Sequence, residues 1–324
     1  MKAVQLTGYE GLKSLKVIEI HKPRPQPTEI LIAVKAAGIN FAESELIEGK
    51  YRVPKTPPFT MGFEAAGIVE EVGSEVGRIQ PGDKVTGIVS SGGYAEYATA
   101  EASLAIPIPR GISFAEASTI PIQGLSAYAL LKFAAKPQPS ESILVQAAAG
   151  GVGLYLVQLA KILGAKTVIA LAGSPEKVNL VEDLGADFAV NYAESNWLEQ
   201  VRTATQGTGV DIVLEAASGE IGAQSFKLLA PFGRVVIYGA RNVHDTFGPD
   251  RLQQLIYNNQ SAIGFNIPSL RPEQIGACVP ELLRLISDGS LRLFASHSYP
   301  LVEVRQAFEA LRSRHTIGRV FLTP

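Results

Sequence analysis

The sequence predicts an α/β protein in which a doubly wound, parallel-sheet domain is inserted into a β-barrel-like domain. Residues 1–105 consist of short strand-like runs separated by Gly and Pro, which is typical of an all-β unit. From residue 113 to 262, strand-like and helical segments alternate, as they do in βαβ units with a parallel sheet. Two helix-like segments and a final apolar strand follow, and we expect them to complete the β unit.

Each predicted element is an apolar or alternating run that ends at turn residues. The first strands are "LKVIEI", "EILIAVKAAGI", "AAGIVEEVG" and "DKVTGIV". The strands of the central block are "SILVQA", "TVIALA", "FAVNY", "DIVLEAA" and "GRVVIYGA". The last part contains the helices "ELLRLISDG" and "VRQAFEALRS" and the strand "GRVFLT". We place the β domain at residues 1–118 and 268–324, and the inserted domain at 119–267.

Composition and charge argue against a nucleic-acid-binding, membrane-bound or secreted protein. A formal net charge of -2 favours neither a nucleic-acid partner nor an anionic membrane. The single cysteine, Cys278, cannot form an internal disulfide, which suits a reducing compartment. No signal-peptide pattern begins the chain, and no apolar run is long enough to span a bilayer. We expect a cytoplasmic protein.

The segment "VQAAAGGVGLYLVQLAKILGA" (145–165) reads as a strand, a glycine-rich turn and a helix. It contains the pattern A-x-x-G-x-x-G, in which we expect Gly150 to adopt a turn conformation that other residues resist. Backbone N–H groups at the start of the helix would then face a pyrophosphate. A tight turn without a ligand is the alternative, and the βαβ context argues against it. The predicted pyrophosphate-binding residues are Ala149, Gly150, Gly151, Val152 and Gly153.

The end of the next strand, "TVIALAGSPEK", indicates which dinucleotide binds. A site that prefers NADH has an acidic residue about 20 positions after the glycine motif, at the ribose 2′-hydroxyl. Here residues 171–173 are Leu, Ala and Gly. Gly173, Ser174 and Lys177 suit the 2′-phosphate of NADPH, which a carboxylate would repel. Ser174 also reads as a helix N-cap, which is compatible with that role, and we expect Glu176 to point to solvent.

Stretches along nearly the whole chain resemble one family. They are "AAGINFAE" (36–43), "MGFEAAGIVEEVG" (61–73), "PGDKV" (81–85), "GGYAEYA" (92–98), "IPIQGLSAYALL" (120–131), "GTGVDIVLEAASGE" (207–220) and "RHTIGRVFL" (314–322). With them the sequence resembles the zinc-free quinone oxidoreductase branch of the medium-chain dehydrogenase/reductase superfamily, and it is similar to polyketide synthase enoyl-reductase domains. The resemblance implies a GroES-like β-barrel catalytic domain, an inserted Rossmann domain that binds NADPH, and an active site in the cleft between them.

The zinc-dependent members of this superfamily hold their metal with a Cys, a Gly-His-Glu sequence and a further Cys. Asn40 lies near the position of the first ligand, and Phe63 occupies the histidine position. A zinc site needs about four N, S or O ligands. One cysteine and four histidines without ligand spacing do not supply them. We expect no metal, and an acceptor that is reduced without a Lewis acid.

The resemblance also implies where individual residues lie. Asn40 and Phe41 would flank the nicotinamide, where Asn40 donates to an enolate oxygen, positions the ring, or serves only as a turn residue. Ser126 would lie near the carboxamide, or else be a packing hydroxyl. The further implied contacts are Tyr192 at the adenosine phosphate, Tyr238 and Gly239 where the cofactor crosses the sheet, Phe265 and Ile267 at the nicotinamide pocket, and Arg314 near the phosphates or the cleft mouth.

One departure from the family pattern affects proton delivery. After Asn-Phe the family commonly has Asp-x-Tyr-x-Arg, but here Glu45 occupies the tyrosine position and Ile47 the arginine position. Glu45 either points to solvent from a helix or delivers the proton differently, and Tyr51 is a nearby substitute. If nothing protonates the enolate promptly, it can displace a leaving group on the γ-carbon and close a cyclopropane.

The sequence therefore predicts an NADPH-dependent reductase that adds hydride to an activated C=C. The acceptor is an enoyl thioester, free or bound to an acyl carrier protein, or a quinone or enone. One alternative is a cyclopropane-forming enoyl-reductase variant that acts on a γ-halo enoyl thioester. Another is a non-catalytic NADPH-binding relative with a structural or RNA-binding role. The protein is either a monomer or a homodimer joined through residues 235–240 and 262–267.

Overall fold

The computed structural model describes residues 1–51, 53–239 and 249–324. The chain forms two compact units. The β unit comprises Met1–Gln123 and Leu293–Pro324, and the parallel-sheet unit comprises Gly124–Arg292. The chain returns from the parallel-sheet unit to the β unit after Arg292, later than the predicted boundary at 267/268. The reason is that two further helices, Pro272–Gly276 and Val279–Ser287, pack against helix Leu125–Ala129 of the parallel-sheet unit. The first boundary, between Gln123 and Gly124, differs from the predicted 118/119 by only a few residues.

The β unit is built from two sheets; strands and helices are numbered in chain order. Its strands are β1 (Lys2–Leu6), β2 (Leu15–Glu19), β3 (Glu29–Gly38), β4 (Phe59–Thr60), β5 (Glu64–Val72), β6 (Lys84–Ile88), β7 (Tyr97–Glu101), β8 (Ile106–Pro107), β15 (Ala295–Pro300) and β16 (Arg319–Thr323). Its helices are α1 (Phe41–Leu46), α2 (Phe114–Ala117) and α11 (Val304–Arg312). The sheet orders are β2-β1-β4 and β15-β16-β3-β5-β6-β8, with β7 also paired to β3.

Strand β3 forms the centre of the β unit. Its nearly continuous apolar run is buried on both faces. The C-terminal strand β16 pairs antiparallel with it, with Phe321 opposite Gly38 and Leu322 opposite Ala37. Helix α11 packs against β15 and β16, and its buried residues follow the helical period. The end of the chain therefore completes the β unit, as the sequence predicts.

The parallel-sheet unit contains one six-stranded sheet and eight described helices. The strands are β9 (Ser142–Val145), β10 (Thr167–Ala172), β11 (Phe188–Asn191), β12 (Val210–Glu215), β13 (Leu229–Ile237) and β14 (Ser261–Gly264). The helices are α3 (Leu125–Ala129), α4 (Gly151–Ile162), α5 (Pro175–Asp183), α6 (Trp197–Ala204), α7 (Gly219–Phe226), α8 (Pro249–Asn258), α9 (Pro272–Gly276) and α10 (Val279–Ser287). π-helical turns, Ile120–Gly124 and Leu130–Ala135, flank α3.

All neighbouring strands of this sheet are parallel, in the order β11-β10-β9-β12-β13-β14. This is the doubly wound order of a Rossmann fold, and it confirms the predicted fold class. The strand order reverses between β9 and β12. Ligands of such sheets bind outside the carboxyl ends of the strands at this reversal. The fold thus points to the loops after β9 and its neighbours as the candidate site.

The predicted dimer edge falls partly inside the sheet. Residues 235–237 belong to β13, which pairs on both sides with β12 and β14. Residues 262–264 belong to β14, which is an outer strand of the described sheet. Ala240, the last residue of the first predicted segment, lies outside the described residues. Within the part of the chain that the structure describes, no helix is long and apolar enough to cross a membrane.

Candidate functional site

The glycine-rich turn after β9 has a fixed, compact backbone. The left-handed conformation lies at Ala147, whose φ is 48°, and not at Gly150, where φ is -83° and any residue fits. This corrects the sequence-based expectation for Gly150. Gly153 packs so closely on the carbonyl of Ala147 and the backbone of Ala148 that a Cβ atom would overlap both. A glycine is therefore required at position 153 by close approach of helix and turn.

Helix α4 presents its first backbone N–H groups at this turn. Gly150 is the N-cap, and the first intrahelical bond runs from the Leu154 N–H to the Gly150 carbonyl at 3.0 Å. The N–H groups of Gly151, Val152 and Gly153 precede that bond and have no acceptor within the helix. Together with the positive end of the helix dipole, they form an anion site of the kind that holds a phosphate.

The loop after β12 is tied directly to the glycine turn. Gln146 is fully buried, and its side-chain oxygen accepts hydrogen bonds from the N–H groups of Ala216 at 3.2 Å and Ala217 at 3.0 Å. Strands β9 and β12 are the pair at which the sheet order reverses. These two hydrogen bonds from Ala216 and Ala217 to Gln146 therefore hold together the two loops that border the ligand position of this fold.

The predicted 2′-phosphate residues lie together at the carboxyl ends of β10 and β11. Ser174 caps α5, with its hydroxyl accepting from the Lys177 N–H at 3.4 Å. The Tyr192 hydroxyl lies against the backbone of Gly173, where a Cβ atom would be 2.5 Å from it. Burial lowers the pKa of the Lys177 ammonium, whereas Glu176 is exposed, as predicted. No acidic side chain comes from residues 171–174, so this corner suits a phosphate better than a ribose hydroxyl.

The other predicted cofactor residues of this unit lie at the same edge, with one exception. Tyr238 and Gly239 directly follow β13, and Phe265 and Ile267 follow β14. The Phe265 N–H donates to the Ile237 carbonyl at 2.9 Å, which holds these two strand ends together. Ser126 is buried on α3, away from the strand ends in sequence, and its contact with the carboxamide stays a prediction.

In the β unit, four polar residues that are far apart in sequence form a buried ionic cluster: Asn40, Glu43, Glu64 and Arg319. Arg319 begins β16 and donates to the carboxylate of Glu64 at the start of β5. Its guanidinium lies against Gly38, where any Cβ atom would overlap it. Glu64 also accepts from the Ile122 N–H at 3.0 Å. The cluster and the Ile122 N–H thus join four segments of the β unit that are distant in sequence.

Asn40, the N-cap of α1, has its side chain fully engaged inside this cluster. Its Nδ2 donates to Glu43 at 3.2 Å and to Glu64 at 2.9 Å, and its Oδ1 accepts from Arg319 at 2.8 Å. This orientation gives every atom of the amide a complementary partner. Both amide hydrogens are therefore committed to carboxylates. Of the roles predicted for Asn40, the geometry favours positioning over donation to an enolate oxygen.

Glu43 is the fully buried carboxyl of α1. Its Oε2 accepts from the backbone N–H of Asn40 at 2.8 Å, while its Oε1 has no hydrogen-bond partner of ordinary geometry among the described residues. Burial raises the pKa of Glu43 to about 7, although hydrogen bonds from Asn40 and Tyr94 and the charge of Arg319 lower it. Burial also raises the pKa of Glu64, against the opposing effect of Arg319. Burial therefore shifts the titration of Glu43 from the acidic range towards neutral pH.

Phe41 and the two candidate proton donors, Glu45 and Tyr51, lie close to this cluster in sequence. Phe41 is the partly buried first residue of α1, and Glu45 is buried two residues after Glu43. Of the two alternatives for Glu45, the one in which it points to solvent is wrong, because only 8% of the residue is exposed. Tyr51 is half-buried with its ring centroid 6.4 Å from that of Phe63. Which of them protonates a product stays a prediction.

Arg314 lies in the β unit, in the turn between α11 and β16. It is exposed and has a φ of 60°, in the left-handed region that few residues other than glycine adopt. The predicted contact of Arg314 with the cofactor phosphates stays a prediction. No group of three or more His, Cys, Asp or Glu side chains that could hold a metal ion occurs among the residues that the structure describes.

Sequence reasoning missed Glu43, Glu64 and Arg319. Their contacts span up to 279 positions of the chain, and no local pattern marks such pairs. One signal was present, since Asn40-x-x-Glu43 has the spacing of a capping box. That spacing predicts a carboxylate bonded to the Asn40 backbone, and the structure contains this bond.

Comparison with known proteins supports the same two-part architecture. A family model described as an alcohol dehydrogenase GroES-like domain matches residues 26–110, and one described as a zinc-binding dehydrogenase matches residues 151–288. The quinone oxidoreductase of Rattus norvegicus is 31% identical over 325 residues, which cover 99% of this chain and 97% of that protein. The relationship therefore extends over nearly the full length of both proteins.

Solved structures show a similarity of the same extent. Escherichia coli quinone oxidoreductase complexed with NADPH aligns with a TM-score of 0.92 at 31% identity, over 100% of both chains. The CurK enoyl reductase aligns with a TM-score of 0.88 at 29% identity, over 99% of this chain and 98% of that one. The CurF cyclopropanase of the curacin A pathway aligns with a TM-score of 0.88 at 26% identity, over the same shares.

Proposed function

Because the chain belongs to the quinone oxidoreductase branch of the medium-chain dehydrogenase/reductase superfamily, we propose that it is an NADPH-dependent reductase of conjugated carbonyl compounds. The acceptor is a quinone or an enone, or an enoyl thioester that is free or carried on an acyl carrier protein. The similarity to a quinone oxidoreductase crystallised with NADPH and to an enoyl reductase supports both classes of acceptor. The protein is a homodimer or a monomer.

The observation that carries this proposal is the fit of the parallel-sheet unit to NADPH. The first N–H groups of α4, at 151–153, suit the pyrophosphate. At the next strand end, Ser174 and Lys177 supply a hydroxyl and an ammonium where a site for NADH has a carboxylate. Tyr192 packs on Gly173 beside them and suits the adenosine end of the cofactor.

When bound, NADPH supplies a hydride for the carbon–carbon double bond or the quinone ring. The protein's part is to orient the reactants, exclude water and manage charge. We assign Asn40 and Phe41 to the border of the nicotinamide and the acceptor. Since the amide of Asn40 is held by the side chains of Glu43, Glu64 and Arg319, it presents a fixed surface to the acceptor. The product oxyanion then takes a proton from Glu45, Tyr51 or water.

The first test follows NADPH absorbance with a 1,4-quinone, an enone and a short 2-enoyl pantetheine thioester, and records product mass. We expect rapid loss of NADPH with at least one acceptor, and a product heavier by two hydrogens. The acceptor with the highest kcat/KM identifies the substrate class. Tight NADPH binding without reduction of any of the three would contradict the proposal and favour a structural or RNA-binding role.

A second candidate reaction is ring closure on a γ-halo enoyl thioester. The similarity to the CurF cyclopropanase, together with Glu45 and Ile47 at the family's tyrosine and arginine positions, favours it. Hydride adds to the β-carbon, and the α-carbon of the enolate then attacks the γ-carbon. The carbon–halogen bond breaks and halide leaves, so no proton is taken up.

The ring-closing reaction is tested with a γ-chloro enoyl thioester and NADPH, with chloride and product mass as readouts. We expect a cyclopropyl product and one chloride for each NADPH consumed. Glu45→Tyr should shift the product towards the linear, chlorinated and protonated thioester, while Glu116→Gln on α2 should leave the product ratio unchanged. Exclusively linear product from the unaltered protein would rule out ring closure.

A further inference from the structure

We propose that Glu43 carries a proton in the working enzyme and is a positioning residue: its proton keeps the buried ionic cluster beneath Asn40 neutral, and its ionisation suppresses reduction of the acceptor. This inference rests on the proposed function, because it takes the acceptor to lie beside Asn40. It assigns to Glu43 a role that is separate from delivery of the product's proton.

The charge balance of the cluster is the first argument. Glu43, Glu64 and Arg319 are each 0% exposed. Two carboxylates and one guanidinium leave one uncompensated negative charge if both acids are ionised. An uncompensated charge in a dry interior is costly, and a buried group takes or loses a proton to avoid it. One proton on one of the two carboxyls makes the cluster neutral.

The hydrogen bonds indicate which carboxyl holds that proton. The Glu64 carboxylate accepts hydrogen bonds from the Arg319 guanidinium, the Ile122 N–H and the Asn40 amide, and all three favour its ionised form. Glu43 receives the two donors of Asn40, both on Oε2, and besides them only the Tyr94 hydroxyl, whose contact falls short of ordinary hydrogen-bond geometry. Its Oε1 has no partner of ordinary geometry in the described structure and is free to carry the proton. The proton therefore belongs to Glu43.

The titratable groups that face Glu43 come from four parts of the β unit. Arg319 favours ionisation of Glu43, and Glu64 opposes it. The Tyr94 hydroxyl, 3.5 Å from the Gly38 carbonyl, bonds to Glu43 in a way that favours the ionised acid. Burial is nevertheless the largest effect, and it raises the pKa of Glu43 to about 7. Tyr51 also interacts with the Glu43 carboxyl: burial is the larger cause that raises the pKa of Tyr51, and the charge of Glu43 is the second.

The state of this proton matters for the chemistry because hydride addition creates negative charge on the acceptor oxygen. A neutral cluster next to the acceptor leaves this charge undisturbed. An ionised Glu43 adds a fixed negative charge in a medium of low dielectric constant, which raises the energy of the developing oxyanion. This effect slows reduction as the pH rises.

The experiment compares the unaltered protein with Glu43→Gln from pH 6 to pH 9. Gln keeps an oxygen acceptor for the Asn40 N–H but does not ionise. We expect kcat of the unaltered protein to fall about tenfold or more above pH 7, as a charge this near implies, and kcat of Glu43→Gln to stay flat. Glu43→Asp should restore a pH-dependent profile.

Glu116→Gln is the matched control, because Glu116 occupies the same third position of a short helix and accepts from the Ser113 N–H at 2.9 Å, but near the surface. It should keep the profile of the unaltered protein. A profile for Glu43→Gln that falls like the original would overturn the proposal.

A readout that needs neither NADPH nor an acceptor separates this proposal from the proposed function. The infrared difference spectrum between pH 6 and pH 8 should show the carbonyl stretch of a protonated carboxyl disappearing with rising pH. That band should be absent in Glu43→Gln and present in Glu116→Gln. If the band titrates but no acceptor is reduced, the proposed function fails while the proton on Glu43 stands. If no band titrates, the proton on Glu43 is refuted whatever the activity.

Discussion

The guanidinium of Arg319 donates to the side-chain oxygen of Asn40 across 2.8 Å, and this bond connects the last strand of the chain with the start of the first helix. Both residues are buried, and both also bond to Glu64. The pair depends on space that only Gly38 leaves for the guanidinium. The polar framework of the β unit is therefore sensitive to a single methyl group.

Gly38→Ala should destabilise the protein by about 3 kcal/mol, because the new methyl group displaces Arg319 and leaves a buried carboxylate without its partner. Urea denaturation monitored by fluorescence measures this. Gly77→Ala is the matched control, since its Cβ would meet no atom within 4 Å and it lies in the same unit. If Gly38→Ala matched that control, Arg319 would not depend on this close approach.

Glu43→Gln should change how stability depends on pH. In the folded protein the pKa of Glu43 is about 7, against 4.5 for an ordinary glutamate. The folded state therefore holds a proton that the unfolded state releases, and the free energy of unfolding falls as the pH rises from 4.5 to 7. The loss reaches about 3 kcal/mol and stays constant above that window.

Because glutamine does not titrate, the stability of Glu43→Gln relative to the unaltered protein should increase from pH 5 to pH 8. Urea denaturation at the two pH values measures the difference, with Glu116→Gln as the control that should show no such trend. An equal difference at pH 5 and pH 8 would mean that folding does not raise the affinity of Glu43 for its proton.

The sequence was sufficient to predict the fold class because most of the longer elements show a local pattern, although β1 and β15 were not among the predicted strands. The strands of the parallel sheet are apolar runs bounded by turn residues, and β16 is visible as "GRVFLT". The same holds for the corner formed by Gly173, Ser174 and Tyr192, since parallel strands end at one edge. The short strands β4 and β8 carry no such signal, because two residues cannot show a period.

The ionic cluster could not be predicted, because its partners meet only through the antiparallel pairing of β16 with β3. The register of β16 against β3 places Arg319 against Gly38 and Asn40, and this register cannot be read from the sequence of either strand alone. The backbone of the glycine turn was mispredicted for a related reason. The left-handed residue is Ala147, which nothing distinguishes from the alanines beside it in the sequence.

Lys177→Ala should weaken NADPH binding about tenfold and leave NADH binding nearly unchanged, because only NADPH carries the 2′-phosphate that this ammonium suits. Titration calorimetry with both dinucleotides measures the two affinities. Lys166→Ala is the matched control, since Lys166 is exposed just before the amino end of β10, whereas Lys177 follows its carboxyl end. An equal loss of affinity for both dinucleotides would place Lys177 elsewhere on the cofactor.

The outer strand β14 is the edge through which we predict a homodimer. It has no partner on its far side in the described sheet, and such an edge invites pairing with a second copy. Helix α8, which packs on β13, exposes Leu252, Ile256 and Tyr257, each by more than half of its surface. Three large, exposed apolar side chains on one helix are typical of a covered surface.

Sedimentation velocity should therefore show a dimer that Ile256→Lys converts to monomer, because a charge buried at the contact is costly. Val302→Lys is the control: Val302 is also mostly exposed, but it lies in the β unit, and its substitution should leave the dimer intact. A monomer in the unaltered protein at all concentrations would contradict the predicted edge. Dissociation by Val302→Lys and not by Ile256→Lys would locate the contact on the β unit, because a charge disrupts only the surface that it enters.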